Sequence, residues 1–174
     1  MKELKSWIVI ILLAFITAFV IRTYVIQPYR IEMTSMVSTL HPNDLVLVDK
    51  ISYKLHPPRR GDVVILVPPT DKNSRYIKRV IGLPGETIAI KNDKVYINGK
   101  PLNEPYMHSP MVQNYPPTKI PKGYVFVMGD NRSVSLDSRY FGPVPIKNII
   151  GKAICVYWPF NHIEDLDAYS GEKP

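Results

Sequence analysis

The chain has 174 residues, of which 45% are hydrophobic and 21% are charged, and this composition excludes an intrinsically disordered protein. Its single cysteine, Cys155, excludes an internal disulfide framework and any metal site built from several cysteines. The 22 Lys and Arg residues against 15 Asp and Glu give a net charge of +7, and the 17 prolines favour short strands and turns.

An uncharged apolar run, Trp7 to Ile21, lies near the start of the chain. If the head group of Arg22 snorkels outward, the apolar segment covers residues 7–26, or about 30 Å of helix, which is enough to cross a bilayer. Pro28 is predicted to end this helix. We expect an uncleaved membrane anchor at 7–26, preceded by a short flank at 1–6.

Two other interpretations of this segment are open. A cleaved secretory signal fits the basic start at Lys2 and Lys5, but no A-x-A site follows and the run is long for such a signal. A helix buried in a core is disfavoured because the segment is apolar all round in a small protein. The flanking charges do not settle the orientation, since long trailing domains cross a membrane largely regardless of them.

Short apolar runs separated by turn residues fill the rest of the chain. The predicted strands cover residues 45–48, 63–67, 75–83, 87–90, 95–97, 124–128 and 149–158. Asn92-Asp93 and Asn98-Gly99 are typical of hairpin turns, and Pro159 is expected to end the last strand. After the anchor, no other window shows a strong helical period. The sequence therefore predicts a mostly β protein, with an antiparallel sheet after the N-terminal helix.

Residues 103–122 contain five prolines and little periodicity. With the hairpins at 86–102 they are predicted to form an inserted β subdomain, 86–122, between the two parts of a catalytic domain, 30–85 and 123–174. The basic residues are scattered through a chain with a membrane segment. We therefore attribute the positive charge to attraction for anionic lipid headgroups and expect no nucleic acid partner.

One predicted strand, residues 75–81, carries a cation on each face, Lys78 and Arg79. An arginine does not lose its proton in a protein, whereas a lysine among apolar groups can become neutral. Lowering a lysine pKa from about 10.4 to about 7.5 requires about 4 kcal/mol. Lys78 is therefore a candidate general base. The alternative is a surface lysine on an edge strand.

Ser35 is a candidate nucleophile because of its position. It lies nine residues past Ile26, so at most about 30 Å of extended chain separates it from the membrane. Its neighbours Met33 and Met36 suit a rim that faces lipid. The alternative is a polar serine in a linker.

Other catalytic arrangements find less support. The chain lacks the G-x-S-x-G motif, and the four histidines (His41, His56, His108 and His162) show no H-E-x-x-H spacing, which disfavours a zinc enzyme. A Ser-His-Asp triad stays open because geometry defines it, not chain order. Cys155 is expected to be a small buried hydrophobic residue.

Four motifs follow the apolar segment in a fixed order. They are Ser35-Met36-Val37-Ser38-Thr39-Leu40, Arg60-Gly61-Asp62-Val63-Val64, Tyr76-Ile77-Lys78-Arg79-Val80-Ile81-Gly82-Leu83-Pro84-Gly85, and Gly129-Asp130-Asn131-Arg132 with Ser135, Asp137, Ser138 and Arg139. This set resembles the type I signal peptidase family, membrane-anchored Ser-Lys proteases that remove signal peptides. With the anchor, the resemblance covers residues 7–160.

The resemblance implies a role for each matching residue. Ser35 would be the nucleophile, Lys78 the general base and Ser135 the residue that orients the lysine. The backbone N–H of Ser35 would donate to the oxyanion. Five further residues would support the site, with the last two as a structural ion pair: Asp130, Asn131, Arg132, Asp137 and Arg139.

Two positions depart from the family pattern. Ser38 stands in place of a proline, which is expected to loosen the loop around Ser35. Met33 stands where relatives carry serine or glycine, so a side-chain donor to the oxyanion is missing. Losing one such donor typically costs about 10² to 10³ in kcat.

The resemblance also implies a setting for the enzyme. It would be a single-pass protein of the plasma membrane, with its N-terminus in the cytoplasm and its catalytic domain outside. Its partners would be signal peptides of preproteins that emerge from the secretion pathway, and the phospholipid membrane. It would use neither a cofactor nor a metal. Two alternatives are a catalytically weakened, membrane-tethered β binding module and a Ser-Lys autoprotease of the SOS-repressor type, which carries a DNA-binding region in place of the apolar span.

Overall fold

A computed structural model describes residues 2–107, 109–110 and 113–169. An α-helix, α1, covers Lys2–Val20 and continues as a π-helix over Ile21–Val25. The stretch Lys5–Val25 is long and apolar enough to cross a membrane, and none of it is buried in the protein. The apolar side chains of residues 7–21 are exposed, as expected of a helix that lipid surrounds.

The helix ends before Pro28, so the prediction that this proline terminates it is wrong. Strand β1 covers Ile26–Arg30 and pairs with β2, Leu45–Asp49, with Pro28 opposite Leu47. Proline is tolerated there because β1 is the edge of its sheet, where one side of the strand has no partner to accept an N–H. The main sheet thus begins at Ile26, four residues before the predicted start of the β domain.

The remaining elements are short strands joined by turns. In chain order they are α2 Ser52–Leu55, β3 Val63–Leu66, β4 Tyr76–Gly82, β5 Thr87–Lys91, β6 Lys94–Ile97, β7 Lys100–Pro101, β8 Tyr115–Lys119, β9 Tyr124–Met128, α3 Ser138–Phe141, β10 Val144–Pro145, β11 Ile149–Trp158 and β12 Glu164–Asp165. Single 3₁₀ turns cover Ile146–Asn148, Phe160–His162 and Leu166–Tyr169.

The strands form two antiparallel sheets. The main sheet has the order β1-β2-β11-β3-β4-β9-β10, with β12 also paired to β11, and the second sheet has the order β7-β6-β5-β8. Register shifts along β11 let this long strand pair with β2, β3 and β12. The expected fold class, a mostly β protein behind an N-terminal apolar helix, is confirmed.

The two predicted hairpin turns are confirmed by their backbone. Asn92 and Asp93 join β5 to β6 with φ of 49° and 59°, and Asn98 and Gly99 join β6 to β7 with φ of 51° and 79°. The strand prediction missed β8, because Pro116 and Pro117 hide an edge strand. It also took β11 as the last strand, although β12 follows it.

Buried side chains form three clusters around these sheets. One contains side chains of β1, β2 and β11 and their connecting segments. A second contains side chains of the second sheet together with residues of β4 and β9, and a third includes side chains of β3, β9 and β10. Cys155 is half-buried in β11, so the prediction of a buried cysteine is wrong in degree. Its burial, and then the charge of Asp165 opposite it, raise the pKa of the thiol.

Candidate active site

Lys78 lies on a central strand of the main sheet. Strand β4 pairs with β3 on one side and with β9 on the other, and Lys78 stands opposite Val64. Only 1% of Lys78 is exposed. The alternative of a surface lysine on an edge strand is therefore wrong, because both edges of β4 are covered.

Ser35 meets this lysine from the β1–β2 loop, residues 31–44. The amine of Lys78 donates a hydrogen bond to the hydroxyl of Ser35, with 2.7 Å between Nζ and Oγ. Ser35 is buried, so it is not a linker serine. The ring of Tyr76 lies 5.2 Å from Nζ and covers another side of the amine. The structure thus brings together the two residues that the sequence singled out.

The surroundings of Lys78 favour its neutral form. Burial lowers the pKa of its amine from 10.5 to about 8, with a smaller lowering effect from the Arg139 charge, while Asp137 and Asp130 oppose the shift. In the part of the chain that the structure describes, no carboxylate lies within ion-pair distance of Nζ. Without a counter-ion, desolvation dominates and the charged amine is disfavoured.

The loop after β9, residues 129–137, holds the Ser35 backbone in place. The N–H of Asn131 donates to the carbonyl of Ser35 at 3.1 Å, and the Asn131 amide donates to the carbonyl of Thr34 at 3.3 Å. Gly129 makes this approach possible, because a Cβ there would lie 2.3 Å from the Ser35 oxygen and 2.4 Å from Oγ of Ser135. The loop thus contacts the backbone on both sides of the Ser35 N–H, and its supporting role in catalysis stays a prediction.

Asp130 connects the β1–β2 loop to β4. Its carboxylate accepts from Nε and Nη2 of Arg79 at 2.9 and 2.7 Å, and from the Thr39 hydroxyl at 2.6 Å. The Arg79 guanidinium also lies 4.2 Å from the Tyr106 ring centroid. Thr39 is a residue of the first motif to which the sequence assigned no role. Because these groups are buried, they fix the loop on the strand that carries Lys78.

Asp137 and Arg139 form the expected ion pair. Nε of Arg139 lies 2.8 Å from Oδ1 of Asp137, and Oδ2 accepts from the N–H of Gly129 at 3.1 Å. Oγ of Ser135 also accepts from Gly129, at 3.1 Å. Ser135 therefore lies beside the site and braces Gly129. That it orients Lys78 stays a prediction.

Arg132 joins the site to the second sheet. Its Nε donates to the carbonyl of Gly129 at 2.9 Å, and its Nη2 lies 2.5 Å from Oε1 of Glu104. Glu104 was missed because it stands in a proline-rich segment where no periodicity marks it. Only the fold, not a motif, brings it to Arg132.

The structure changes the interpretation of Ser38 and Met36. Ser38 has a φ of 101°, and its hydroxyl donates to the carbonyl of Tyr106 at 3.1 Å. This bond and the bond from the Leu40 N–H to the Met36 carbonyl, at 2.8 Å, tie the loop in place, while the loosening expected from the missing proline stays a prediction. Met36 is completely buried in the core, so its predicted place on a lipid-facing rim is wrong.

Ser35 and Lys78 line a cleft of about 280 Å³. The other lining residues are Glu32, Met33, Thr34, Tyr76, Val134 and Leu136. Met33, Val134 and Leu136 are about half exposed and make an apolar mouth. In the described residues no group accepts a hydrogen bond from the N–H of Ser35, so this donor is available to a substrate. The cleft therefore combines a serine hydroxyl, a lysine amine and a backbone N–H that no described group uses.

A buried serine hydroxyl that accepts a hydrogen bond from a lysine amine, on a β domain behind an apolar helix, is an arrangement that suits a serine hydrolase. Residues 4–158 match the family model described as signal peptidase, peptidase S26. The chain belongs to this family, as the motifs indicated.

Named relatives match most of the chain. It is 44% identical over 161 residues to signal peptidase I of Leptolyngbya laminosa, covering 88% of this chain and 79% of that protein. It is 39% identical over 177 residues to signal peptidase I of Bacillus licheniformis, covering 95% of each. It is 38% identical over 181 residues to signal peptidase IB of Staphylococcus aureus, covering 94% of each.

A solved structure shows the same fold. The crystal structure of a signal peptidase I from Enterococcus faecalis aligns with a TM-score of 0.50 and 35% identity, covering 56% of this chain and 97% of that chain. The protein is therefore a membrane-associated serine endopeptidase that removes signal peptides from preproteins. The alternatives of a binding module and an SOS-type autoprotease are set aside by this membership.

Proposed function

We propose that Ser35 is the nucleophile and Lys78 the general base of this peptidase. The observation that carries the proposal is the 2.7 Å hydrogen bond between a buried amine and a hydroxyl at the floor of the cleft. A lysine with its pKa lowered to about 8 is about one-tenth neutral at pH 7, against less than about one in a thousand at the ordinary value.

The reaction follows from this pair. Neutral Lys78 takes the proton from Ser35 as Oγ attacks the scissile carbonyl, and a tetrahedral oxyanion forms. The Lys78 ammonium then gives its proton to the leaving amine, and an ester joins the substrate to Ser35. The same amine removes a proton from water, which attacks the ester and releases Ser35.

The oxyanion is proposed to receive its hydrogen bond from the backbone N–H of Ser35. Asn131 positions that N–H, because it donates to the carbonyls of Thr34 and Ser35, and Gly129 leaves room for this approach. Met33 offers no donor of its own, so the backbone carries this task. Ser135, next to Gly129, is proposed to keep the Lys78 amine turned toward the cleft.

The substrate is proposed to bind as an extended strand along the cleft. A second cavity of about 240 Å³ adjoins the first and shares Glu32 and Met33 with it, while Ile65 and Ile77 line its inner wall. Two neighbouring small cavities suit side chains that project from the same face of an extended peptide. This agrees with the short residues, typically alanine, that the family selects one and three positions before the cut.

We propose a single-pass topology in the plasma membrane, with the N-terminus cytoplasmic and the β domain outside. The apolar helix supports one span, and the strand that follows it at Ile26 keeps the cleft near the bilayer. The test uses a Cys155→Ala background with a single new cysteine, Lys5→Cys or Lys94→Cys. An impermeant maleimide should label Lys94→Cys in intact cells and Lys5→Cys only after permeabilisation. The reverse pattern would overturn the topology.

The second sheet is proposed to be an inserted subdomain within residues 86–122, flanked by the two parts of the catalytic domain. Strands β5 to β8 pair only with one another among the described residues, which supports this division. Arg132 and Glu104 join the insertion to the site.

The experiment that tests the nucleophile is preprotein cleavage in lipid by Ser35→Ala. Cleavage should be lost while binding of the signal peptide persists, because only Oγ is removed. The control is Ser52→Ala, which changes a half-buried serine of α2 that lines neither cavity and should cleave normally. Full activity of Ser35→Ala would contradict the proposal.

A further inference from the structure

Two histidines that are far apart in sequence meet on the surface of this domain. His41 lies in the β1–β2 loop and His162 in the 3₁₀ turn after β11, yet their rings are 4.7 Å apart between centroids and meet edge to face. The sequence showed scattered histidines without metal-binding spacing. The fold brings this pair together beside the carboxylate of Asp44.

Asp44 is the fixed member of the group. It is 2% exposed, and its Oδ2 accepts from the backbone N–H of His41 at 2.7 Å. Nδ1 of His162 lies 3.0 Å from Oδ2 and 3.1 Å from Oδ1. One ligand atom from each of the three side chains lies within 4.8 Å of the other two. A buried carboxylate thus faces two imidazoles.

These distances fit a small divalent ion with little rearrangement. Metal–ligand bonds of about 2.0 to 2.2 Å in a tetrahedral site place neighbouring donor atoms about 3.3 Å apart. The Asp44–His162 separation is already close to that value. The His41 ring must move closer to the other two ligands. Its side chain is exposed and can rotate, because the hydrogen bond from His41 to Asp44 comes from the backbone N–H.

The other ring nitrogen of His162 also has a suitable neighbour. Oε2 of Glu164 lies 3.9 Å from Nε2 of His162, on the side away from Asp44. A metal-bound histidine usually donates its second ring N–H to a carboxylate, which fixes the tautomer and raises the basicity of the ligand. Glu164 can take this position after a small movement.

We propose that His41, Asp44 and His162 form a binding site for a divalent transition metal of the zinc class. Two imidazoles and one carboxylate suit Zn²⁺ or Cu²⁺, whereas Mg²⁺ and Ca²⁺ prefer an all-oxygen shell. With three protein ligands, water completes the coordination. None of the three residues lines the cleft of Ser35 and Lys78, so the metal is not a participant in peptide cleavage.

The position of the site gives the metal a structural effect on the loop that carries Ser35. The ends of this loop are joined by hydrogen bonds from Ile31 N–H to the Asp44 carbonyl, at 2.9 Å, and from Asn43 N–H to the Ile31 carbonyl, at 2.7 Å. A metal held by His41, Asp44 and His162 links the hydrogen-bonded ends of this loop to the segment after β11. Binding to the folded state alone then raises thermal stability.

The test uses the full chain in lipid nanodiscs, without a polyhistidine tag and after treatment with EDTA. Calorimetry with Zn²⁺ should show one saturable site per chain. His41→Gln and His162→Gln should each weaken binding at least about tenfold. His56→Gln is the matched control, since this histidine lies outside the cluster and its ring contacts the Pro57 carbonyl and the Tyr53 ring instead. Its affinity should equal that of the parent.

A spectroscopic readout identifies the ligands directly. Electron paramagnetic resonance of bound Cu²⁺ should show coupling to two imidazole nitrogens in the parent and to one in His162→Gln. Zn²⁺ should raise the Tm of the parent and leave that of His162→Gln unchanged. Affinity that is equal in the parent and both histidine variants, or no saturable binding in a folded parent, would overturn the site. The metal-free chain is expected to cleave preproteins whether or not the metal site exists. Failure of the metal-site proposal therefore leaves the Ser35–Lys78 proposal untouched, and the reverse also holds.

Discussion

Lys78 and Arg79 are neighbours on β4, and both are cations with almost no exposed surface. Alternation along the strand turns them to opposite faces of the sheet. Arg79 meets the carboxylate of Asp130 with two hydrogen bonds and stays charged. Lys78 meets only the hydroxyl of Ser35 and an aromatic ring, and its pKa falls to about 8.

Both side chains are buried, so burial alone does not distinguish them; the two cations differ in their partners and in residue type, since an arginine does not lose its proton in a protein. A paired guanidinium holds two segments together, since breaking such a pair leaves an uncompensated charge. An unpaired amine carries a desolvation cost, which it relieves by losing its proton. The same strand therefore supplies a paired cation that holds the site together and the amine that we propose as its base.

The largest effect is expected when the two cation types are exchanged, in Lys78→Arg and Arg79→Lys. Lys78→Arg should lower kcat/KM by at least about 10³-fold, because a guanidinium cannot accept the Ser35 proton at ordinary pH. Arg79→Lys should keep measurable cleavage, because a charged amine can still pair with Asp130. Preprotein cleavage rates measure both. Normal cleavage by Lys78→Arg would end the base assignment.

Removing the counter-ion of Arg79 should have the next largest effect. Asp130→Asn leaves a buried guanidinium without its charge partner and should lower the free energy of unfolding by about 3 to 5 kcal/mol. Denaturant unfolding of the β domain in detergent measures this. The control is Arg75→Met, an exposed arginine that bonds only to backbone carbonyls, which should change stability by less than about 0.5 kcal/mol. Equal losses in the two variants would contradict the pairing argument.

Replacing the Lys78 side chain with a neutral one should raise the free energy of unfolding and abolish cleavage. The drop in pKa from 10.5 to about 8 corresponds to a gain of up to about 3 kcal/mol for Lys78→Met at pH 7. Between about pH 8 and pH 10.5 the unfolded chain binds the proton that the folded chain has lost, so wild-type stability rises with pH in this window. The advantage of Lys78→Met should therefore shrink across it and vanish above it. An advantage that does not vary with pH would show that packing, not charge, is its cause.

Ser38→Pro should have a smaller effect. Proline requires a φ near about −65°, whereas Ser38 has a φ of 101°, and the hydrogen bond to the Tyr106 carbonyl would also be lost. We expect a loss of about 1 to 3 kcal/mol in the free energy of unfolding. Ser38→Ala removes only the hydrogen bond and should cost about 1 kcal/mol. A proline variant as stable as the parent would show that this loop can adopt the family conformation.

The sequence was sufficient for features that depend on local pattern. The hairpin turns at Asn92 and Asn98, and the fold class, follow from turn chemistry and strand alternation. The motifs that include Ser35 and Lys78 pointed to the family, although alternation alone could not tell a buried Lys78 from an exposed one. Contacts between distant segments were out of reach, because nothing in the sequence near Glu104 or His162 marks a partner.

Strand prediction failed at prolines in edge strands. Pro28 and the prolines of β8 were interpreted as breaks in secondary structure, yet β1 and β8 are the outer strands of their sheets, where a missing N–H is tolerated. Met36 read as a surface residue from its place beside Ser35, but the turn of the loop sends it into the core. In both cases the tertiary position, not the residue type, decided the outcome.

Direct titration of the Lys78 amine is the closest test of the central claim. NMR of lysine labelled with ¹³C at Cε, in the intact chain in lipid, would follow the amine, and the resonance missing in Lys78→Met identifies it. The account predicts a midpoint near the pKa of about 8 and a rise of kcat/KM with pH through the same midpoint. An amine that stays protonated to the ordinary lysine value of about 10.4 would contradict it.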